Sequence, residues 1–164
     1  EGEIVDESIE DFRDMLDDHQ DIKTLLLVYV PGSDVSGDQE TDQALELGRE
    51  VYDSGLKLHL VDNGLVASGG TDLLASGRTV SIGENTMVGV HAWDGGWDGN
   101  PEGTAWDIRN NENHPEHQKY LRYFEDIGFS SEKAAKFYFF TIRAAKAEEM
   151  YYMNEDEIGQ YLLR

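Results

Sequence analysis

Apolar positions along this chain switch between two spacings, and each switch marks an element. Ile9, Phe12, Met15 and Leu16 recur at helical spacing and predict a first helix, with Asp6 as its candidate cap. Thr24 to Val30 is a continuous apolar run of strand length, which predicts a strand buried on both faces. Pro31-Gly32-Ser33 ends that strand, and a polar, glycine-containing loop runs to about Thr41. Ala44, Leu45, Leu47, Gly48 and Val51 predict a second helix that stops near Gly55, and Leu56 to Val61 a second strand closed by an Asn63-Gly64 turn. Ser68 to Ala75 reads as a short buried helix, and Thr79–Ile82 and Met87–His91 as short strands. Pro115 to Ile127 predicts a helix, and Ser130 or Ser131 caps another running to about Met150. Asn154 with Glu157 opens a last helix with a capping box. This β-α-β-α rhythm implies an α/β fold with parallel pairing, and residues 1–164 are expected to form one domain. Residues 92–113, with Trp93, Trp97 and Trp106 among Gly, Asp and Asn, form a loop long enough to serve as a functional lid.

Charge changes the picture more than size does. Thirty-four acidic side chains against thirteen basic ones leave a formal charge of -21. That field repels nucleic acid and anionic lipid, so neither is expected as a partner. No apolar run approaches the roughly 20 residues that cross a bilayer, so no membrane span is expected in this segment. The sequence has no Cys, which removes disulfides, thiol catalysis and thiolate metal sites. The chain begins at Glu1 without a Met or a signal-like segment, and an upstream strand or segment is expected to be missing.

The candidate chemistry centres on Ser68 and His91. Ser68 stands between a glycine-bearing turn and an apolar run, at a predicted helix start where free N–H groups favour negative charge. His91 ends a predicted strand, where rigid backbone can aim it. The competing readings are plain ones: Ser68 as a helix cap and His91 as a hydrogen-bonded strand-end histidine. His114 and His117 flank Pro115 and read as a solvent-facing pair at a helix start. Asp94 to Ala105 fails as a calcium loop at its ligand positions, so no metal site and no cofactor are expected. Phe137, Tyr138, Phe139 and Phe140 cover more than one helix face, which predicts burial on two sides, against the core or another subunit.

Several ordered segments together resemble the crotonase-like superfamily, and within it the branch of the Clp protease proteolytic subunit. The residues that carry this are Val30-Pro-Gly-Ser33, Ala44-Leu-Glu-Leu-Gly48, Val66-Ala-Ser-Gly-Gly70, Leu73 to Gly77, Val80 to His91, and the ending Met150 to Leu163. The resemblance spans nearly the whole chain and implies a Clp-protease-like α/β fold of repeated ββα units with a helical C-terminal part. It implies a serine hydrolase, a peptidase or esterase, with Ser68 as nucleophile and His91 as general base. Gly69, with Gly32 or Ser33, would bind the oxyanion. Read from the residues alone, Trp93 and Trp97 just after His91 fit a wall of a substrate groove and a pin holding their loop to the core equally well. The resemblance also implies a homo-oligomer, and is nearest in feel to periplasmic or secreted bacterial members.

The sequence departs from the family pattern in two places. The turn at Gly32 has one glycine fewer, and the family's aspartate falls at Ala145 or Lys146, neither an acid. Glu148 is the substitute orienting acid closest to that place, Glu149 its neighbour; Asp72, one helical turn after Ser68, is the other candidate. Two further readings stay open: a binding or scaffold module that has lost the triad, and an acyl-CoA-binding crotonase-like protein, against which the -21 charge counts.

Overall fold

The computed structural model describes residues 1–33 and 42–164. The polar loop expected up to Thr41 falls largely outside the described residues. The elements in chain order are α1 (Ser8–Asp18), β1 (Thr24–Val30), α2 (Gln43–Ser54), β2 (Lys57–Ala67), α3 (Gly69–Ala75), β3 (Val80–Ile82) and β4 (Met87–Val90). There follow α4 (Ala105–Ile108), a 3-10 turn (Pro115–His117), α5 (Gln118–Asp126), α6 (Ser131–Ala144), β5 (Tyr151–Tyr152) and α7 (Glu155–Tyr161). None of the described helices is long and apolar enough to cross a membrane.

One sheet runs β1-β2-β4-β5, with β3 also paired to β2; all pairings are parallel except β4 with β5. This is the α/β, largely parallel architecture that the alternating pattern predicts. The Asn63-Gly64 pair does not end the second strand, as expected from sequence, but bulges it. Asn63 takes a left-handed φ of 58°, and a Cβ at Gly64 would come within 2.7 Å of the Val61 carbonyl. Before the bulge β2 pairs with β3 at Leu58–Leu60; after it β2 pairs with β4 at Leu65–Ala67. The bulge therefore lets one strand serve two partners and carries its end to Ser68.

The helices cover one face. Leu58, Leu60, Val66, Val88 and Val90 are buried beneath α2 and α3, and the α5–α6 pair adds Tyr123, Phe124, Phe137 and Tyr138. The other face is open, contrary to the expectation of a doubly buried β1. Leu26, Val28 and Tyr29 on β1, with Met87 and Tyr152, are more than 40% exposed. β1 is an edge strand, capped by the N-terminal segment through Gly2 N–H to the Tyr29 carbonyl at 2.8 Å and Ile4 N–H to the Gly32 carbonyl at 2.9 Å.

Helix ends follow their caps. Ser130 accepts from the Lys133 N–H, and Asn154 and Glu157 form a reciprocal capping box, as the sequence predicts. Asp6 does not cap α1, whose N-cap is Glu7 without a side-chain bond. α6 ends six residues earlier than expected, because Ala145 turns extended and its carbonyl accepts the Ala92 N–H at 2.9 Å.

Candidate functional site

β2 ends at Ala67 and α3 begins at Gly69, so a single residue, Ser68, makes the turn. Ser68 holds φ 53° and ψ -128°, a conformation that L residues avoid and that costs on the order of 1–3 kcal/mol. The surroundings enforce it. Its N–H donates to the Gly89 carbonyl at 3.1 Å, and its own carbonyl accepts the Thr71 N–H at 2.8 Å. A Cβ at Gly70 would run into the Val30 carbonyl, and one at Gly69 would meet the Ala44 Cβ at 2.9 Å. Glycine lets α3 approach β1 and α2 this closely.

Ser68 occupies the N-cap position of α3, but its side chain makes no cap hydrogen bond. The capping role that competes for this serine is therefore vacant. A strained serine between a strand end and a helix start, with its hydroxyl free of the helix, has the geometry of a nucleophile elbow.

Gly32 lies directly against it: a Cβ there would stand 3.4 Å from the Ser68 Cβ and 3.8 Å from its Oγ. Among the described residues the N–H groups of Gly32 and Gly69 have no acceptor. Gly69 directly follows the serine, and Gly32 packs against its side chain. Ser33 sits one residue further, bridged to Ile4, with its side chain beside Gly69.

His91 immediately follows β4 and is half-buried. Its Nδ1 lies 2.8 Å from the Ala147 carbonyl. A carbonyl can only accept, so Nδ1 carries the proton and the neutral ring keeps its lone pair on Nε2. Nε2 makes no hydrogen bond to another described residue, and none joins His91 to Ser68. The Gly89 carbonyl accepts both the Ser68 N–H and, at 2.7 Å, the Thr71 hydroxyl, which ties the serine turn to the strand that carries the histidine.

None of the three candidate acids hydrogen-bonds this histidine. Glu148 and Glu149 are exposed in the turn after α6, and the backbone of Ala147 takes the place next to the ring. Asp72 lies instead towards α2 and α5, where its backbone carbonyl accepts the Tyr123 hydroxyl at 2.7 Å. Burial, with the Asp42 charge adding to it, pushes the Asp72 carboxyl up to about 8. Asp42 in turn accepts the Tyr120 hydroxyl at 3.1 Å. Burial chiefly, then these two carboxylates, holds the Tyr120 hydroxyl well above its ordinary range. Nothing in the sequence pattern identified Asp42.

The tryptophans follow His91 and are anchored. Trp93 stacks on Tyr120 at 5.6 Å and donates its indole N–H to the Tyr138 hydroxyl at 2.9 Å. Trp97 packs edge-on against Trp93 and against His114. His117 is not solvent-facing, as its helix-start position implies, but completely buried. Among the described residues no group of three or more His, Asp or Glu side chains is placed to hold a metal ion.

No protein-family model and no curated protein matches this sequence. Solved structures do match the fold. The membrane-bound stomatin-specific protease 1510-N, as a lysine-to-alanine variant in complex with a substrate peptide, superposes with a TM-score of 0.64 at 12% identity. The match covers 99% of this chain and 70% of that one. Our chain shares that protease's fold. A serine-to-alanine variant of the stomatin-specific protease agrees, with a TM-score of 0.61 at 12% identity over 98% of this chain and 72% of that one. The Clp-protease-like α/β fold expected from the sequence is therefore the fold observed.

Proposed function

We propose that the chain is a serine hydrolase that cleaves a peptide or ester through an acyl-enzyme on Ser68. The observation that carries this reading is the Ser68 backbone: a strained, glycine-flanked elbow whose hydroxyl caps nothing. Strain of this kind at a serine persists where the surrounding structure requires the side chain to be presented. A fold shared with a protease solved with a substrate peptide favours a peptide over an ester.

In this mechanism His91 Nε2 accepts the Ser68 Oγ proton as Oγ bonds to the substrate carbonyl carbon. The carbonyl oxygen takes up the electron pair and is held by the N–H groups of Gly32 and Gly69. The imidazolium then protonates the leaving amine or alcohol, the C–N or C–O bond breaks, and the acyl group remains on Oγ. Water, deprotonated by the same Nε2, releases the acid. The Ala147 carbonyl, rather than Glu148 or Asp72, fixes the tautomer. Trp93 and Trp97 form one wall of the groove beside His91. Substrate binding closes the Ser68–His91 separation, since catalytic hydrogen bonds tighten in the Michaelis complex.

The backbone carbonyl that takes the place of an acid at His91 Nδ1 favours a second reading, a binding module that keeps the elbow without turnover. Hydrolysis of a fluorogenic peptide library separates the two. Turnover lost in Ser68→Ala with the fold intact supports the hydrolase; peptide binding without turnover in the wild type supports the module.

The reading takes residues 1–164 as one catalytic domain, supported by their continuous core. We further propose a homo-oligomer, supported by the exposed apolar row of Leu26, Val28, Tyr29, Met87 and Tyr152. A monomer by sedimentation at micromolar concentration counts against it. A periplasmic or secreted location remains part of the proposal, and cell fractionation tests it.

A further inference from the structure

The buried His117 connects to the wall of the proposed groove through hydrogen bonds whose directions are fixed at both ends. Its Nε2 faces the carbonyl oxygens of Asn111 at 3.1 Å and Ile108 at 3.3 Å, which can only accept, so Nε2 carries a proton. Its Nδ1, 2.8 Å from the Tyr138 oxygen, is then the acceptor of the Tyr138 O–H. The Tyr138 oxygen accepts from the Trp93 indole, which can only donate. The chain thus runs from Trp93, two residues beyond His91, through Tyr138 on α6 to His117. Ring stacking reinforces it, with Trp93 on Tyr120 and Tyr120 on Tyr138 at 5.4 Å.

We propose that His117 is a positioning residue for the substrate wall: in its neutral form it holds Trp93 in place through Tyr138, and its protonation releases Trp93. The catalytic consequence rests on the reading of Trp93 as a groove wall; the relay itself does not.

Proton arithmetic gives the reason. A proton on Nδ1 turns the acceptor that the Tyr138 O–H has among the described residues into a donor. The Tyr138 oxygen then faces two donors, and its own hydrogen has no acceptor in a buried setting. The imidazolium N–H contact is charge-assisted and the stronger of the two, so the Trp93 contact is the one that gives way.

Among the described residues no acid hydrogen-bonds the ring. The charged or titratable groups that face it are Tyr138, His114, with its ring 6.0 Å away, and Arg143 on α6, itself paired with Glu112. Burial, with the Asp72 and Glu116 charges adding to it, raises the Tyr138 hydroxyl pKa. Burial first, then His114 and Arg143, keep the His117 pKa below its ordinary value, although the two carbonyl contacts pull the other way. Because the folded value is depressed, the Trp93 anchor is complete above the ordinary histidine pKa of about 6.5 and is lost as pH falls through the folded value.

The test is the indole N–H resonance of Trp93 in the substrate-free protein, assigned with Trp93→Phe and followed from about pH 7.5 to pH 4.5. In the wild type we expect it to shift, and its exchange with water to rise at least tenfold, in step with the His117 imidazole titration. His117→Asn keeps an oxygen to accept the Tyr138 O–H but cannot titrate, and should hold the resonance flat. Tyr138→Phe should remove the pH dependence and raise the His117 pKa, and it decides the matter if His117→Asn does not fold. A Trp93 resonance indifferent to the His117 titration, or a His117→Asn variant that titrates like wild type, overturns the proposal. The NMR readout needs no turnover, so it stands apart from any failure of the hydrolase reading. Where turnover is present, falling pH should raise KM for peptide in the wild type and not in His117→Asn.

Discussion

His91 and His117 lie within one fold and are held in opposite ways. His91 stands at a strand end, half-buried, with one nitrogen on a backbone carbonyl and the other free of described partners. His117 is sealed in the core with both nitrogens engaged. A histidine with a free lone pair is available to move protons in the proposed mechanism, whereas one with every polar atom matched can only hold its neighbours. The difference lies in what surrounds each ring, since the residue type is the same. The proposed chemistry at Ser68 rests on backbone strain, and the architecture at His117 on hydrogen-bond completeness.

The largest effect that sharpens this contrast is expected at the serine. Ser68→Ala should lower peptide hydrolysis by roughly 10³-fold or more without changing the fold, read as kcat/KM alongside circular dichroism. Ser68→Gly should likewise be inactive but more stable, by about 1 kcal/mol in urea titration, because glycine tolerates φ 53°. His91→Gln should cost about 10²–10⁴-fold in kcat with little change in melting temperature. The buried histidine's network should show the reverse pattern: Tyr138→Phe strands two polar groups and should cost about 1–3 kcal/mol of stability with a smaller effect on kcat.

Asp72 offers a pH test. Its folded pKa is raised, so the native state holds the proton more tightly, and stability is lost as pH rises from about 4 towards about 8. Asp72→Asn should therefore stabilise the protein by about 1–3 kcal/mol at pH 8 and by little at pH 4, read by denaturant titration. The smallest effect is expected at Glu148. Glu148→Gln should leave kcat within about twofold, because the Ala147 carbonyl orients His91. A loss of 10²-fold there would move the orienting role back to the acid.

Much of the frame was legible in the residues. The glycines at 69 and 70 and the apolar run after them announced α3, and Asn154 with Glu157 announced α7, because steric and capping demands are local. The Asn63-Gly64 pair reads as a turn, and Asn63 is left-handed, yet local sequence could not distinguish a strand end from a bulge, which depends on β2 changing partners. The exposure of Leu26, Val28 and Tyr29 was hidden for a similar reason: an apolar strand does not reveal whether anything covers its second face. His117 was misread because its partner Tyr138 lies a helix away in sequence; the 3-10 turn imposed at Pro115 was the available clue. The group behind His91 left no trace in residue types at all, since any residue at position 147 supplies a carbonyl.

Covalent labelling tests the central claim most directly. Wild-type protein treated with an activated fluorophosphonate between about pH 6 and pH 9, then digested and mapped by mass spectrometry, should carry the adduct on Ser68, and Ser68→Ala should carry none. Folded wild type that stays unlabelled across that range, or a label that persists in Ser68→Ala, would contradict the account.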